Sequence, residues 1–214
     1  MRFHRNISFA VIDALMAIFN EGEYADKVVA RALKLDKRWG SSDRKFVAET
    51  IYDIVRWKRL YAEIAEIKKE PFERDGIWRM FAVWATLKGH TLPDWKYFEG
   101  TPVRKIKGKF DELSKDRKFK ESIPDWMDEI GIKELGEAIW SKEIKAQNEP
   151  AKVILRTNTI RTNKEALKQE LLKLDIHTQA IEDYPEALVL DERANVFMTD
   201  AFKNGMFEVQ DASS

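Results

Sequence analysis

The spacing of hydrophobic residues changes once along this chain, and that change constrains the fold more than any other feature. As far as Asn148, apolar residues recur every three or four positions, which is the spacing of amphipathic helices. From Lys152 to Thr157 a more polar and a more apolar set of side chains alternate, as in a strand with one buried face. The sequence therefore predicts an all-helical domain at 1–148 and a small α+β module at 149–214.

Turn-forming residues divide the first domain into predicted helices. The longest is predicted over residues 43–70, because apolar positions repeat at helical spacing until a proline ends them. Two glycines and two prolines in residues 93–108 predict an irregular stretch. Shorter helices are predicted at 125–130 and 133–147.

The module has three further strand-like runs, at 177–181, 187–190 and 207–210. Thr162 and Glu165 match a capping box, so a helix is predicted after the first strand. The final residues 211–214 offer helix-start side chains directly after a strand, and we expect them to lead into a further domain.

Composition excludes some classes of protein and site. The chain has no cysteine, which excludes disulfides, thiolate metal sites and a cysteine nucleophile. Its 37 basic and 37 acidic residues cancel, so net charge does not indicate a nucleic-acid partner. The three histidines are scattered, and we expect no metal site. Most tryptophans in predicted helices are expected in the core; these are Trp57, Trp78, Trp84, Trp126 and Trp140.

The N-terminus carries basic residues before an apolar run at 7–19, as a signal peptide does. Asp13 interrupts the run, and the polar residues 20–23 stand where a small-residue cleavage site would be. An amphipathic first helix is the better interpretation. No stretch reaches the ~20 apolar residues that span a bilayer, and we expect a soluble, cytoplasmic protein.

Five short motifs follow one another along the chain. They are SDRKF at 42–46 with YDIVRW at 52–57, IPDW at 123–126, VILRTNT at 153–159, YPEAL at 184–188 and QDASS at 210–214. In this order they resemble the N-terminal region of the Sun/RsmB family of RNA (cytosine-C5) methyltransferases. The resemblance covers essentially the whole chain.

This resemblance implies a mainly α fold with a C-terminal α+β module: a NusB-like helical bundle, then a small RNA-recognition-like (ferredoxin-like) domain. It implies a chain that binds and positions RNA for an S-adenosylmethionine-dependent cytosine-C5 methyltransferase, with ribosomal RNA as the expected substrate and transfer RNA as the alternative. In that family the cofactor loop and two catalytic cysteines follow the QDASS segment. The 214 residues alone are therefore expected to be inactive and to bind no cofactor.

The densest basic region is 103–120, where eight basic residues accompany three acidic ones. Such a region can follow a phosphate backbone, or it can be a solvated surface. Its predicted RNA-binding residues are Arg104, Lys105, Lys107, Lys109, Lys118 and Lys120.

Other cations lie on or beside the longest predicted helix. Lys58 and Arg59 are candidates for phosphate contact, with plain solvation as the alternative. Arg44 and Arg56 are expected to be structural, paired with carboxylates such as Glu49 or Asp53, since arginine forms bidentate pairs with them.

In the module, Arg156 and Asn158 are predicted to steer RNA towards a catalytic domain. The alternative for Asn158 is a turn residue bonded to the backbone. Stacking of bases on the sheet is not expected, because the predicted strands hold no phenylalanine or tyrosine before Phe207.

Two other functions fit the same residues. The first is a stand-alone RNA-binding or antitermination-like module that ends naturally at Ser214. The second is a protein-interaction domain whose basic region is incidental. A salt-sensitive affinity for RNA is expected of the methyltransferase portion and of the first alternative, and not of the second.

Overall fold

Helices occupy the first part of the structure and a four-stranded antiparallel sheet lies in the second, which confirms the predicted mainly α fold with a C-terminal α+β module. The structure is a computed structural model that describes residues 3–211. The chain forms two compact units, 1–148 and 149–214. The last three residues of the QDASS motif, 212–214, lie outside the described residues.

The helices of the first unit lie between residues 5 and 147. They are α1 (Arg5–Asn20), α2 (Ala25–Ala32), α3 (Ser41–Arg56), α4 (Lys58–Ile64), α5 (Arg74–Leu87), α6 (Val103–Leu113), α7 (Arg117–Lys120), α8 (Asp125–Leu135) and α9 (Glu137–Gln147). A short 3-10 helix at Lys96–Phe98 lies between α5 and α6.

The core of the first unit is built around α5. Of the eleven consecutive residues 76–86 of α5, all except Arg79 are buried, so the helix is enclosed on nearly all sides. A helix that is apolar all round must be surrounded by other elements. α1, α3, α4, α6 and the 3-10 helix pack against it. The apolar N-terminal run forms α1, whose Asp13 stays at the surface and pairs with Arg74.

The prediction of one long helix over residues 43–70 is wrong. In the structure the helix is interrupted at Trp57, which separates α3 from α4. Trp57 has φ −100° and ψ 24°, outside the helical range, although no proline or glycine is there. The two halves have different neighbours: α3 packs against α1 and α2, whereas α4 packs against α6 and α7. Packing on both sides therefore overrides the helical pattern of the sequence.

Two predicted helix boundaries at glycines are also wrong. Residues 103–113 form one continuous helix through Gly108, where an irregular stretch was predicted. Gly131 stays inside α8, and Gly136, with φ 75°, separates α8 from α9. A positive φ favours glycine, which explains why the helix ends there and not at Gly131.

Gly131 is required for packing within the α8–α9 pair. A Cβ atom built on it would overlap the ring of Trp140, which lies buried with Ile123 and Ile144 in a small separate core. Gly108 in α6 faces open space instead. The two helical glycines therefore have different reasons to be there.

The second unit has the elements β1 (Ile154–Thr157), α10 (Lys164–Leu172), β2 (Thr178–Ile181), β3 (Tyr184–Leu190), α11 (Asp200–Lys203) and β4 (Phe207–Val209), with a 3-10 turn at Val196–Met198. The sheet order is β2-β3-β1-β4, all neighbours antiparallel. This βαββαβ order with helices on one face is a ferredoxin-like arrangement. The buried face of β1 carries Leu155, which is opposite Leu188 and packs with Leu167 of α10.

Two boundaries in this unit differ from the prediction. Asn163, not Thr162, caps α10, and its side-chain oxygen accepts a hydrogen bond from the Ala166 N–H at 2.8 Å. β3 begins at Tyr184, three residues earlier than predicted, and includes Pro185. A register irregularity falls between Ala180 and Ile181 of the partner strand, and prolines are tolerated at strand starts and bulges.

We predict that Gly131→Ala destabilises the helical unit by about 1–3 kcal/mol, because the added methyl group forces Trp140 to move. Chemical denaturation followed by circular dichroism measures the change. Gly108→Ala is the matched control, and it should be neutral or stabilising by up to ~1 kcal/mol, since alanine is the better helix former. Equal effects of the two substitutions would contradict the role given to Gly131.

Candidate functional site

Helix α6 carries four of the nine predicted RNA-binding cations. It begins after Pro102, and Ile106 anchors it in the core. Lys105 and Lys109, one turn apart, each place Nζ 2.8 Å from Oε1 of Glu66, just beyond α4. Hydrogen bonds from Lys105 and Lys109 lower the pKa of Glu66 to about 2. Two cations therefore share one carboxylate, which leaves an excess of positive charge at this point.

Arg104 and Lys107 lie on the solvent side of the same helix. They are exposed and three residues apart, so they are neighbours on the helix surface. Neither side chain has a hydrogen bond, ion pair or ring contact with another described residue. Lys120 at the end of α7 is also exposed, and its side chain has no such partner among residues 3–211. These three cations need give up no existing interaction to contact a phosphate.

The other predicted cations of this unit already hold partners. Lys58 pairs with Glu70 and lies 5.1 Å from the ring centre of Phe72. Arg59 donates to the Ile123 carbonyl and to Asp125 Oδ1 at 2.9 Å. Its guanidinium lies 4.6 Å from the ring centre of Phe119.

Lys118 contacts the same carboxylate as Arg59, at 3.2 Å from Asp125 Oδ1. This cluster adjoins the start of α4, and the Glu66 cluster adjoins its end. A seven-residue helix is about 10 Å long, so the two clusters lie about that far apart along the axis of α4.

Arg44 and Arg56 are structural, as expected, but their partners are backbone carbonyls and not Glu49 or Asp53. Arg44 donates to the carbonyl of Trp39 at 3.1 Å and to that of Leu33 at the end of α2. Arg56 donates to the Glu121 carbonyl at 3.1 Å. Carbonyls at helix ends lack partners within their own helix, and a guanidinium can satisfy several of them.

A buried ion pair lies between α7 and the α8–α9 pair. Arg117 Nε donates to Asp128 Oδ1 at 2.8 Å, and Trp140 Nε1 donates to the same oxygen at 2.8 Å. Asp128 is 5% exposed. The hydrogen bond from Arg117 is the largest cause of a pKa of Asp128 below the ordinary aspartate value, with burial opposing it. Arg117, although part of the densest basic region, is thus committed to the fold.

In the second unit, Asn158 is a turn residue. Its Nδ2 donates to the Gly205 carbonyl at 2.9 Å, and its Oδ1 accepts from the Ile160 N–H at 3.2 Å. Arg156 lies on the sheet face away from α10, 3.3 Å from Glu186 and 3.4 Å from Gln210. Arg156 is exposed and remains available to an anion, whereas the amide of Asn158 is occupied.

On the outward face of the sheet, the paired positions of β1 and its neighbours hold no aromatic side chain. They include Ile154, Val189 and Glu208. Phe207 belongs to the core. The expectation that no tyrosine precedes Phe207 in the strands is wrong, since β3 starts at Tyr184, which is 44% exposed.

A small cavity beside α6 was not predicted. It encloses about 160 Å³ between the end of α4, α5 and the loop after the 3-10 helix. Arg79, Tyr97 and Lys105 are among its lining side chains. The residues that meet there are separated by up to 42 positions in the chain, so no sequence motif marks it. An exposed tyrosine next to a basic helix was the only local signal.

Over residues 3–211, no group of three or more histidine, aspartate or glutamate side chains is placed to hold a metal ion. In the same residues, no helix is long and apolar enough to cross a membrane. Of the five helical tryptophans, Trp78, Trp84 and Trp140 are buried and Trp126 is 60% exposed.

Comparison with known proteins shows what part of this chain is similar to. A family model described as Methyltr_RsmF/B-like, ferredoxin-like domain, matches residues 123–197. The crystal structure of PH0851 matches with a TM-score of 0.62 and 19% sequence identity, over 98% of this chain and 54% of that chain. At that identity it shows the fold, and this chain spans about half the length of that protein. No curated protein matches.

The family-model match supports the resemblance to the N-terminal region of the Sun family, and the structural match agrees with it in fold. The matched range begins at Ile123, ahead of the sheet, and therefore takes in α8 and α9 as well as β1, α10, β2 and β3.

We predict that Asp128→Asn destabilises the helical unit by about 1–3 kcal/mol at pH 7, because Arg117 and Trp140 lose their charged acceptor and Arg117 keeps only the longer 3.3 Å ion pair with Glu137. A depressed carboxyl pKa contributes stability above the unfolded value of about 3.9, and that stability is lost as pH falls through the lower folded value. The difference between wild type and variant should therefore shrink below about pH 4.

Urea denaturation of both proteins between pH 3 and 7 measures this difference. Asp111→Asn is the control, because Asp111 is exposed on α6 and should change stability by less than ~0.5 kcal/mol. If the difference in unfolding free energy between wild type and Asp128→Asn stayed constant down to pH 3, the charge of Asp128 would not contribute to stability.

Proposed function

We propose that this chain, which carries the ferredoxin-like domain of the RsmF/RsmB-like methyltransferases, binds and positions RNA for a methyltransferase core. The proposed reaction is transfer of a methyl group from S-adenosylmethionine to cytosine C5, and the proposed substrate is ribosomal RNA. The family-model match at residues 123–197 is the observation that carries this proposal.

The charge distribution supports RNA as the partner. Net charge is zero, yet Arg104, Lys107 and Lys120 are exposed and held by no described partner. Lys105 and Lys109 add one excess positive charge beside them, because both share Glu66. A phosphate backbone bound by such cations releases counterions, which favours binding at low salt.

We propose that another domain of the enzyme binds S-adenosylmethionine. All strand pairs in the sheet are antiparallel, so the structure offers no parallel strand-to-helix turn of the kind that cradles such cofactors. The sequence also lacks the thiolate that attack on cytosine C6 requires. In this proposal the cofactor and the catalytic cysteines belong to that other domain.

In this proposal the chain holds structured RNA through its phosphates while another domain acts on the base. An enzyme that modifies a base in a folded RNA must take that base out of its stack, at a cost of a few kcal/mol. Backbone contacts made elsewhere on the RNA fix its position during that step. The helical unit and the ferredoxin-like domain would supply those contacts.

We predict that replacing Arg104 and Lys107 together by alanine weakens binding of a structured ribosomal RNA fragment. The slope of the logarithm of the binding constant against the logarithm of salt concentration should become shallower by about 0.7–0.9 per lost phosphate contact. For the pair this gives roughly 1.4–1.8. Fluorescence anisotropy at several salt concentrations measures both quantities.

Lys142→Ala with Lys145→Ala is the matched control. Those lysines are also exposed, three residues apart on α9 and without a described partner, so net charge changes equally. Equal losses in the two double variants would mean that the α6 cations make no specific contact.

Catalysis is tested with the product of the whole gene, incubated with ribosomal RNA and S-adenosylmethionine. Appearance of 5-methylcytosine by mass spectrometry supports the methyltransferase assignment. Salt-sensitive RNA binding without methylation would instead support a stand-alone RNA-binding module. Absence of RNA binding would support a protein-interaction domain.

A further inference from the structure

The side chain of Tyr97 ends an aromatic stack at the surface of the helical unit. Its ring lies 4.4 Å from that of Trp78, with 12° between the ring planes. Trp78 is 1% exposed, whereas Tyr97 is 43% exposed. The stack therefore starts in the core of the unit and ends at solvent with the tyrosine.

The outer face of the Tyr97 ring is not covered by the other ring that contacts it. Phe9 lies nearly perpendicular to both rings, with its centre 5.3 Å from Trp78 and 5.5 Å from Tyr97. These nearly equal distances place Phe9 beside the stack. A ring covering the outer face of Tyr97 would lie much farther from Trp78 than from Tyr97.

The small cavity beside α6 gives this tyrosine polar neighbours. Its volume of about 160 Å³ is several times the ~30 Å³ of one water molecule in the liquid, so it can admit part of a planar ligand. Arg79 and Lys105 bring donors to it, and Glu99 brings a carboxylate acceptor. Arg79 uses Nη1 to donate to the Ala65 carbonyl at 3.2 Å. The edges of nucleobases carry both donors and acceptors.

Exposed cations of α6 are adjacent in the chain to residues that line the same cavity. Pro102 and Lys105 line it, and Arg104 lies between them in the chain at the start of α6. Lys107 follows on the solvent side of the helix. An aromatic ring with cations along the adjoining backbone path is the arrangement that binds single-stranded nucleic acid.

We propose that Tyr97 and this cavity bind one unpaired base of the RNA, stacked on the tyrosine ring, while Arg104 and Lys107 hold the neighbouring phosphates. This proposal rests on the proposed function and adds a preference for single-stranded or looped RNA. The ring is held in place by Trp78 before RNA binds, so little conformational entropy is lost when a base stacks on it.

Tyr184 of the second unit is a weaker alternative. It is exposed to the same degree, but it has no ring stacked against it among the described residues. The cation that lines the same recess, Arg156, already contacts Glu186 and Gln210. The cations that line the Tyr97 cavity, Arg79 and Lys105, hold partners too. Tyr97, however, has a ring fixed by Trp78 and is followed in the chain by Arg104 and Lys107, whose side chains have no described partner.

The test compares two probes, a mixed-sequence single-stranded RNA of 12 nucleotides and a duplex of the same length. Tyr97→Leu should weaken binding of the single strand by about tenfold and leave duplex binding and the salt dependence unchanged, because tyrosine carries no charge. Tyr97→Phe should keep wild-type affinity, since it keeps the ring. Tyr52→Leu is the control, because Tyr52 is 45% exposed and does not line the cavity.

A loss of less than twofold in Tyr97→Leu, or an equal loss on the duplex, overturns the base site. RNA binding that depends on Arg104 and Lys107 but not on Tyr97 overturns this site alone and leaves the proposed function standing. Absence of any salt-sensitive RNA binding by the wild-type chain overturns both.

Photocrosslinking keeps the test independent of the folding of the leucine variant. Single-stranded RNA containing 4-thiouridine is crosslinked to the wild-type chain, which is then cleaved with trypsin. Cleavage after Lys96 and Arg104 releases a peptide of residues 97–104. Crosslinks concentrated in that peptide support the base site, and crosslinks that leave it unlabelled overturn it.

Discussion

The enclosure of α5 is the constraint on which the helical unit depends. Because this helix is apolar on nearly all sides, other elements must cover it, and α1, α3, α4, α6 and the 3-10 helix do so. That covering fixes the surface of the unit. α6 turns Arg104 and Lys107 to solvent, and the 3-10 helix lays Tyr97 on Trp78 of α5. The candidate RNA contacts are thus set by how a buried helix is covered.

Ion pairing then divides the cations into two groups. Arg59 and Arg117 hold α7 and the start of α8 in place, so their charges are used within the fold. Lys105 and Lys109 share one carboxylate, and Arg104 and Lys107 have no described partner. A chain with zero net charge can therefore carry a local cationic surface, because what attracts a phosphate is the local excess and not the total.

Much of the fold was predictable because its signals are local. The change of hydrophobic spacing near residue 148 separates the helical unit from the sheet, and alternation placed β1 with Leu155 inward. The errors arose where distant contacts decide. Trp57 breaks a helix that the pattern predicts as continuous, and Gly131 stays in a helix because Trp140 packs on it. Neither the break at Trp57 nor the packing of Trp140 on Gly131 follows from the pattern of residues adjacent in the chain.

The sequence by itself determined the two classes of secondary structure, their order and the family resemblance, since periodicity and short motifs lie within a few residues of chain. It also named the cations. Only the tertiary structure decided which of them are available, because their partners are far away in the chain: Glu66 is 39 residues from Lys105, and Ile123 is 64 residues from Arg59. Charge pairing depends on distance in space, and folding alone sets that distance.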